Sequence, residues 1–417
     1  MFPADPSSLF SFPKKSFHVL AGCFIDGTGV PLRRNVLIKI DAGRISWIKD
    51  VSMSETWPVD TFDLCKYLVM PGFVDCHVHL FMSGSADRET RKKQLNFTCR
   101  EAKNAISRHL CDHIKCGIVA VRDGGDYGGF VSIYKDDTAA VKTHKGCAQA
   151  RGDISRTSTG NQGVFTTAIQ VYNPENKIVV SSAGKAIHAK GRYGRFAGQA
   201  VLTEKDMLNA VMGDGIDHVK IINSGLNSLK EFGKQTEPQF KEDVLKAAIS
   251  AAHDRGLKVM VHANGTRPVK EAIKAGADSI EHGFFMGKEN LQLMADEDVT
   301  WVPTAFTMRA CMKTLNPGMR ERDIARRNLE HQLEQIRLAN TFGVTIAAGT
   351  DSGSIGVNHG SSLFEEIDIF MEAGLSMEKA VMCATWNGAR LMGIEKRAGR
   401  LVTGMPAIFT AVPALSC

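Results

Sequence analysis

The chain has 417 residues, 43% of them hydrophobic and 23% charged, with a formal net charge of +6, which suits one large barrel plus a small companion domain. No basic run with interleaved aromatics occurs, so nucleic acid is excluded as a partner, and no stretch is apolar for the length of a membrane span. The ten cysteines are dispersed without a CxxC pair, so neither a zinc ribbon nor a disulfide framework is indicated, and a reduced cytoplasmic protein is expected.

Residues 1–16 are rich in Pro and Ser and are read as a loose tail; MFPADPSSLFSFPKK lacks the charged region and apolar core of a secretory signal. From Phe17 to Met70, short strands and turns follow one another. HVLAGCFIDGTG is predicted to be a strand ending in a turn, and NVLIKIDAGRISWI a hairpin bending at Asp41-Ala42-Gly43, together part of a small β-sandwich. From Pro71 the rhythm changes to apolar runs separated by helical patterns. The runs are 73–80, 118–125, 177–184, 218–225, 258–265, 279–283, 300–304 and 345–352. EDVLKAAISAAHDRG, RPVKEAIKAG and SLFEEIDIFMEAG are predicted helices that stop at Gly256, Gly276 and Gly374. Residues 136–177 are too long and polar for a compact connection and are read as an insertion.

Eight such runs with helical crossovers predict an α/β fold, a (β/α)8 barrel over residues 71–396. An open doubly wound sheet is the alternative. The barrel is preferred because metal-capable side chains lie on at least five strands, and only a barrel gathers all strand ends around one axis.

Those side chains are His77 and His79 in DCHVH, Lys220 in HVKII, His262, His282 in IEHG, and Asp351 after AAGT. Alternate strand residues share a face, so His77 and His79 point the same way and can grip one divalent ion. Burial of Lys220 would lower its pKa and leave a neutral amine able to capture carbon dioxide as a carbamate, an anionic ligand. Each residue alone has a plainer role: a rim salt bridge for Lys220, hydrogen-bonded core histidines for His262 and His282, a turn cap for Asp351. Together they fall on strands one, four, five, six and eight, most at the strand ends, and that joint placement points to a metal site.

The phrases PGFVDCHVHL, HVKIINSG, GLKVMVHANG, AGADSIEHG, TIAAGTDSG and ATWNGARLMGIEKRAGRLVTGMPA resemble the amidohydrolase superfamily, in its imidazolonepropionase-like branch that contains Xaa-Pro and Arg/Lys dipeptidases. The resemblance covers about Val69 to Ala407. It implies that residues 397–417 join 17–70 in the sandwich. Family members commonly continue the terminal phrase as Ala-Asp and two further strands; this chain reads Ala407-Ile408-Phe409 and ends at Cys417, so that part is expected to be shortened.

The resemblance also implies two divalent metals, zinc first, with manganese, cobalt or iron also fitting. His77, His79 and Asp351 would hold the more buried ion, His262 and His282 the more exposed one, and carboxylated Lys220 would bridge them around a hydroxide. Imidazolonepropionases typically use one metal without this lysine, so Lys220 argues for a two-metal member. Asp351 is the expected proton shuttle. The expected reaction is cleavage of an amide C–N bond in a small molecule, a dipeptide or N-acyl amino acid; a cyclic-amide hydrolase and a non-catalytic oligomeric scaffold are the alternatives. A homo-oligomer is expected. Candidate substrate contacts are Arg122, His188, Tyr193, Arg195, Asn223, Thr304 and His359, on loops above the barrel.

Overall fold

Alternation of apolar residues builds a first sheet from β1 (Ser16–Phe24), β2 (Arg33–Asp41), β3 (Arg44–Asp50) and β4 (Thr61–Pro71). The computed structural model describes residues 16–52, 54–137, 170–174 and 177–414, so all but the last residue of the N-terminal tail and most of the 136–177 insertion lie outside the described residues. The β2–β3 hairpin turns at Ala42 and Gly43, both at positive φ (48° and 77°), the backbone a two-residue hairpin turn demands. Gly22 marks a register shift between β1 and β4, because a Cβ there would sit 1.9 Å from the Cys65 carbonyl oxygen.

The chain then crosses Gly72 into β5 (Phe73–Val78), β6 (Ile118–Asp123), β7 (Gln170–Tyr172), β8 (Val179–Ser182), β9 (Ala186–Ala189), β10 (Gly198–Val201), β11 (His218–Ile222), β12 (Lys258–Ala263), β13 (Ser279–His282), β14 (Thr300–Val302) and, near the C-terminus, β15 (Phe409–Pro413). The first sheet has the order β3-β2-β1-β4-β15-β7. It is the flanking sandwich-type domain. Phe17, Val19, Val36, Ile38, Leu64, Val69, Phe409 and Ala411 fill a core of its own, while Leu68, Met70 and Val412, on the opposite face by strand alternation, join the barrel core. One strand of this sheet, β7, comes from the far end of the 136–177 segment and pairs with β15.

The remaining strands form the TIM-barrel core. The parallel sets β5-β6-β8 and β10-β9-β11-β12-β13-β14 carry it. Between them Asp217 N donates to Ser182 O at 2.9 Å. The eighth position is not a regular ladder strand. Residues 345–352 close the wall through Trp301 N to Thr345 O (2.8 Å), Ala347 N to Trp301 O (2.9 Å), Cys76 N to Ala348 O (2.9 Å) and Asp351 N to His77 O (2.7 Å). Gly349 permits this closeness, since a Cβ there would stand 2.5 Å from Val302 and 2.9 Å from the His77 Cβ.

The predicted helices form at Glu242–Asp254, Thr266–Lys274 and Ser362–Glu372, each followed by its glycine at positive φ. No described helix is long and apolar enough to cross a membrane. One expectation from composition fails. Cys23 and Cys111 are each engaged in a disulfide, so the thiols are not all reduced; dispersed cysteines without a CxxC pair give no sign in sequence of which of them oxidise.

Candidate metal centre

His77 lies near the C-terminal end of β5 and His79 just past it, with ring centroids 5.6 Å apart. Their Nε2 atoms lie 3.6 and 3.5 Å from Asp351 Oδ1. The three ligand atoms fall within 4.8 Å of one another, a metal-ligand cluster. Each imidazole is held from its other nitrogen. His77 Nδ1 donates to Glu281 Oε2 (2.7 Å) and His79 Nδ1 to Gly125 O (3.0 Å). That leaves Nε2 as the free lone pair on both rings, the arrangement by which a second partner fixes a ligand tautomer. His77 Nε2 is buried without a hydrogen-bond partner, which fits a missing electrophile.

His282 and His262 stand beside this cluster. The His282 ring is 4.9 Å from that of His77 and 4.5 Å from that of His262. Strand alternation would set His282 opposite to Glu281, yet both face inward. A φ of 67° at His282 breaks the alternation, and its Nδ1 bonds Thr304 Oγ1 at 2.7 Å. His262 Nε2 bonds Gly225 O at 3.1 Å. Lys220 is 3% exposed and its Nζ has no hydrogen-bond partner.

Burial sets the protonation states. It pushes the histidines down, His79 to about 4 and His262 to about 3, with the Lys220 charge adding to the effect. Neutral imidazole is the ligand form. Burial lowers Lys220 to about 8 and raises Asp351 to about 6.

The proposed substrate contacts divide. Tyr193 and Phe196 lean over the cluster, with ring centroids 5.4 Å from His262 and 5.2 Å from His79. Burial, then the Asp351 charge, pushes the Tyr193 phenol up. Arg195 is exposed. His188 is buried and bonds Ala189 O at 3.0 Å. The others are committed inside the protein. Arg122 donates to Cys76 O (2.8 Å), Ser279 Oγ (3.0 Å) and Glu281 Oε1 (2.8 Å), which occupies all three guanidinium nitrogens. Asn223 Oδ1 accepts from Phe240 N (3.3 Å), Thr304 orients His282, and His359 Nε2 donates to Met82 O (2.7 Å) while His113 and Ser352 reach its Nδ1 (3.1 Å each).

Glu281 escaped the sequence reading. It is fully buried and links Arg122 to His77. The signal was present: an acidic residue inside an apolar strand run, beside a ligand candidate. Arg91, on the helix Arg88–Gln94 after β5, was not singled out in the sequence either.

A sequence model of the Amidohydrolase family matches residues 68–415. The chain belongs to the amidohydrolase family. An uncharacterised protein of Mycobacterium tuberculosis is 28% identical over 223 residues, 51% of this amidohydrolase and 57% of that protein, so the match spans little more than half of that relative. An imidazolonepropionase of Psychromonas ingrahamii is 23% identical over 396 residues, 91% of this chain and 87% of that one. Among solved structures, a Xaa-Pro dipeptidase with methionine bound in the active site superposes with a TM-score of 0.71 at 27% identity, covering 96% of this amidohydrolase and 94% of that chain. These relatives put the amidohydrolase in the imidazolonepropionase- and dipeptidase-like branch.

Proposed function

We propose that this metal-dependent hydrolase cleaves the amide bond of a dipeptide or N-acyl amino acid, using two divalent metals, zinc first, and a carbamate on Lys220. One observation supports the two-metal reading: a buried amine with no hydrogen-bond partner among the described residues, whose charge is felt by four buried histidines and by Asp351. An ammonium there would be left without any hydrogen-bond acceptor, which is costly. With its pKa brought down to about 8, the amine is partly neutral near pH 7. Its lone pair would form an N–C bond to carbon dioxide as one proton leaves to water, giving the anionic bridge that the ligand set otherwise lacks. His77, His79 and Asp351 would hold one ion, His262 and His282 the other.

When bound, the metals would supply Lewis acidity and an activated water. The chain's own side chains do the rest. Glu281, Gly125 O and Thr304 hold His77, His79 and His282 in place. Asp351 stands beside His77 and His79, where its carboxylate would accept a proton and return it to the leaving nitrogen. Tyr193 and Phe196 roof the cluster and exclude water. The solved dipeptidase with bound methionine supports an amino-acid product. Cyclic-amide hydrolysis is the second reading, supported by the likeness to an imidazolonepropionase. A homo-oligomer is the proposed assembly.

Metal analysis of folded protein, supplemented with metal and with or without bicarbonate, tests the reading. About two ions per chain are expected with bicarbonate. Lys220→Ala should fall to about one or none and lose activity. Near-zero metal in the wild type would favour a non-catalytic scaffold, and an unchanged Lys220→Ala would end the carbamate reading.

A further inference from the structure

We infer that Arg91 is the anchor for a free carboxylate of the substrate, which fixes the scissile amide close to an acidic terminus. The inference deepens the proposed amide hydrolysis and rests on it for the identity of the bond cut. Arg91 follows β5 on the helix Arg88–Gln94. Its Nη1 donates to three carbonyl oxygens: Ser83 (3.2 Å), Ser85 (3.3 Å) and Gly353 (3.1 Å). Gly353 lies two residues beyond Asp351, so the guanidinium is clamped at the mouth of the metal-ligand cluster. The clamp uses Nη1 alone. Nε and Nη2, the side-on fork of the guanidinium, make no hydrogen bond to a described residue, and no described carboxylate pairs with Arg91.

Arg255 and Arg322 are likewise part-buried and donate only to backbone carbonyl oxygens among the described residues; what sets Arg91 apart is its contact with the Asp351 loop through Gly353 O. Arg122, Arg267, Arg309, Arg326 and Arg337 each pair with a carboxylate. Arg91 is half-buried without one, and the ionisable groups whose charges act on it are Asp351 and Tyr193. A partly desolvated cation with no counter-ion is costly unless an anion completes it. Asp351 does not complete it: its Oδ2 accepts from Ser354 Oγ (2.9 Å), and its Oδ1 faces His77 and His79. The open Nε–Nη2 edge is planar and bidentate, matched to the two oxygens of a carboxylate. Arg91 thus binds substrate and is not a proton carrier. A carboxamide in the same position would place an NH2 against donors.

The plain alternative is that Arg91 only clamps the loop carrying Ser83 and Ser85 to the Asp351 loop. Two probes separate these roles. N-acetyl-L-methionine and its carboxamide are compared as substrates, and L-methionine and L-methioninamide as ligands by calorimetry, on metal-loaded protein. Arg91→Met should raise KM for the acid about 30-fold more than for the amide, with metal content retained, and Arg91→Lys should recover part of the difference. The calorimetric preference for L-methionine over its amide should collapse in parallel. Equal losses on acid and amide, or loss of bound metal, would show a clamp and overturn the inference. A wild type that hydrolyses neither probe yet binds the acid through Arg91 would uphold the anchor and defeat the amide-hydrolase reading instead. No preference for the acid in either measurement would overturn the anchor.

Discussion

At the scale of single residues, the site is decided by which nitrogen of each ring is already taken. His77 is the clearest case: Nδ1 is tied to Glu281, whose other oxygen holds Arg122 and Ser279, at 2.8 and 2.6 Å. Glu281→Gln keeps the shape but removes the charge that makes His77 a stronger donor to a metal. Metal affinity, read by competition with a chelator, should fall about 10- to 100-fold. An unchanged affinity would mean that Glu281 serves only Arg122. For Asp351, loss of the proton shuttle in Asp351→Asn should lower kcat about 100-fold or more while KM moves much less. His359 is no substitute shuttle. It is buried, stacked on His109 at 4.0 Å between centroids, and hydrogen-bonded to Met82, Ser352 and His113. If kcat survives in Asp351→Asn, the assignment of the shuttle fails.

At the scale of elements, the strands and helices that carry strong periodicity stand where the sequence put them. His77 and His79 were legible because period two is enough to place them together. Glu281 was not, because the same rule sends one of any adjacent pair outward, and only the left-handed turn at His282 defeats it. The irregular eighth segment was legible as an apolar run but not as a broken ladder, since its pairing is set by Gly349 and by neighbours far away in sequence. Arg122 shows the reverse failure. A charged residue at a strand end reads as a substrate contact until its partners on β5 and β13 are seen. Helix ends offer a further test. Glu366, on Ser362–Glu372, accepts from Ala305 N (2.9 Å) and Phe306 N (2.7 Å) at the start of the helix Phe306–Thr314. Burial pushes its carboxyl up to about 8, above the ordinary 4.5. The folded chain therefore keeps a proton that the unfolded chain releases. This contribution to stability is full below pH 4.5 and disappears as pH rises through about 8. Glu366→Gln mimics the protonated form. Its melting temperature relative to wild type should rise steadily between pH 5 and 8, roughly the window in which the two states differ in bound protons. A flat difference would show that the two backbone donors keep Glu366 ionised.

At the scale of the whole molecule, the flanking sheet and the barrel share apolar core through Leu68, Met70 and Val412, so strain at the barrel mouth is borne by the entire fold. His282, Thr304 and Asp351 all adopt positive φ, at 67°, 48° and 59°, a conformation that costs a non-glycine residue roughly 1–3 kcal/mol. Asp351 adds a partly buried carboxylate to that cost. These residues thus oppose folding in the metal-free protein, and bound metal offsets them by favouring the native state. The melting temperature should rise with metal concentration. Metal-free Asp351→Asn, although nearly inactive, should be more stable than metal-free wild type by about 1 kcal/mol, because Asn tolerates the left-handed conformation as well as Asp does and carries no charge. A lower melting temperature in that variant would show that the mouth is relaxed. The same three positions set the order in which such a protein can decay. Once catalysis is no longer selected, replacements there gain heat resistance at once, so a descendant that has lost its chemistry is expected to outlast its working ancestor on heating.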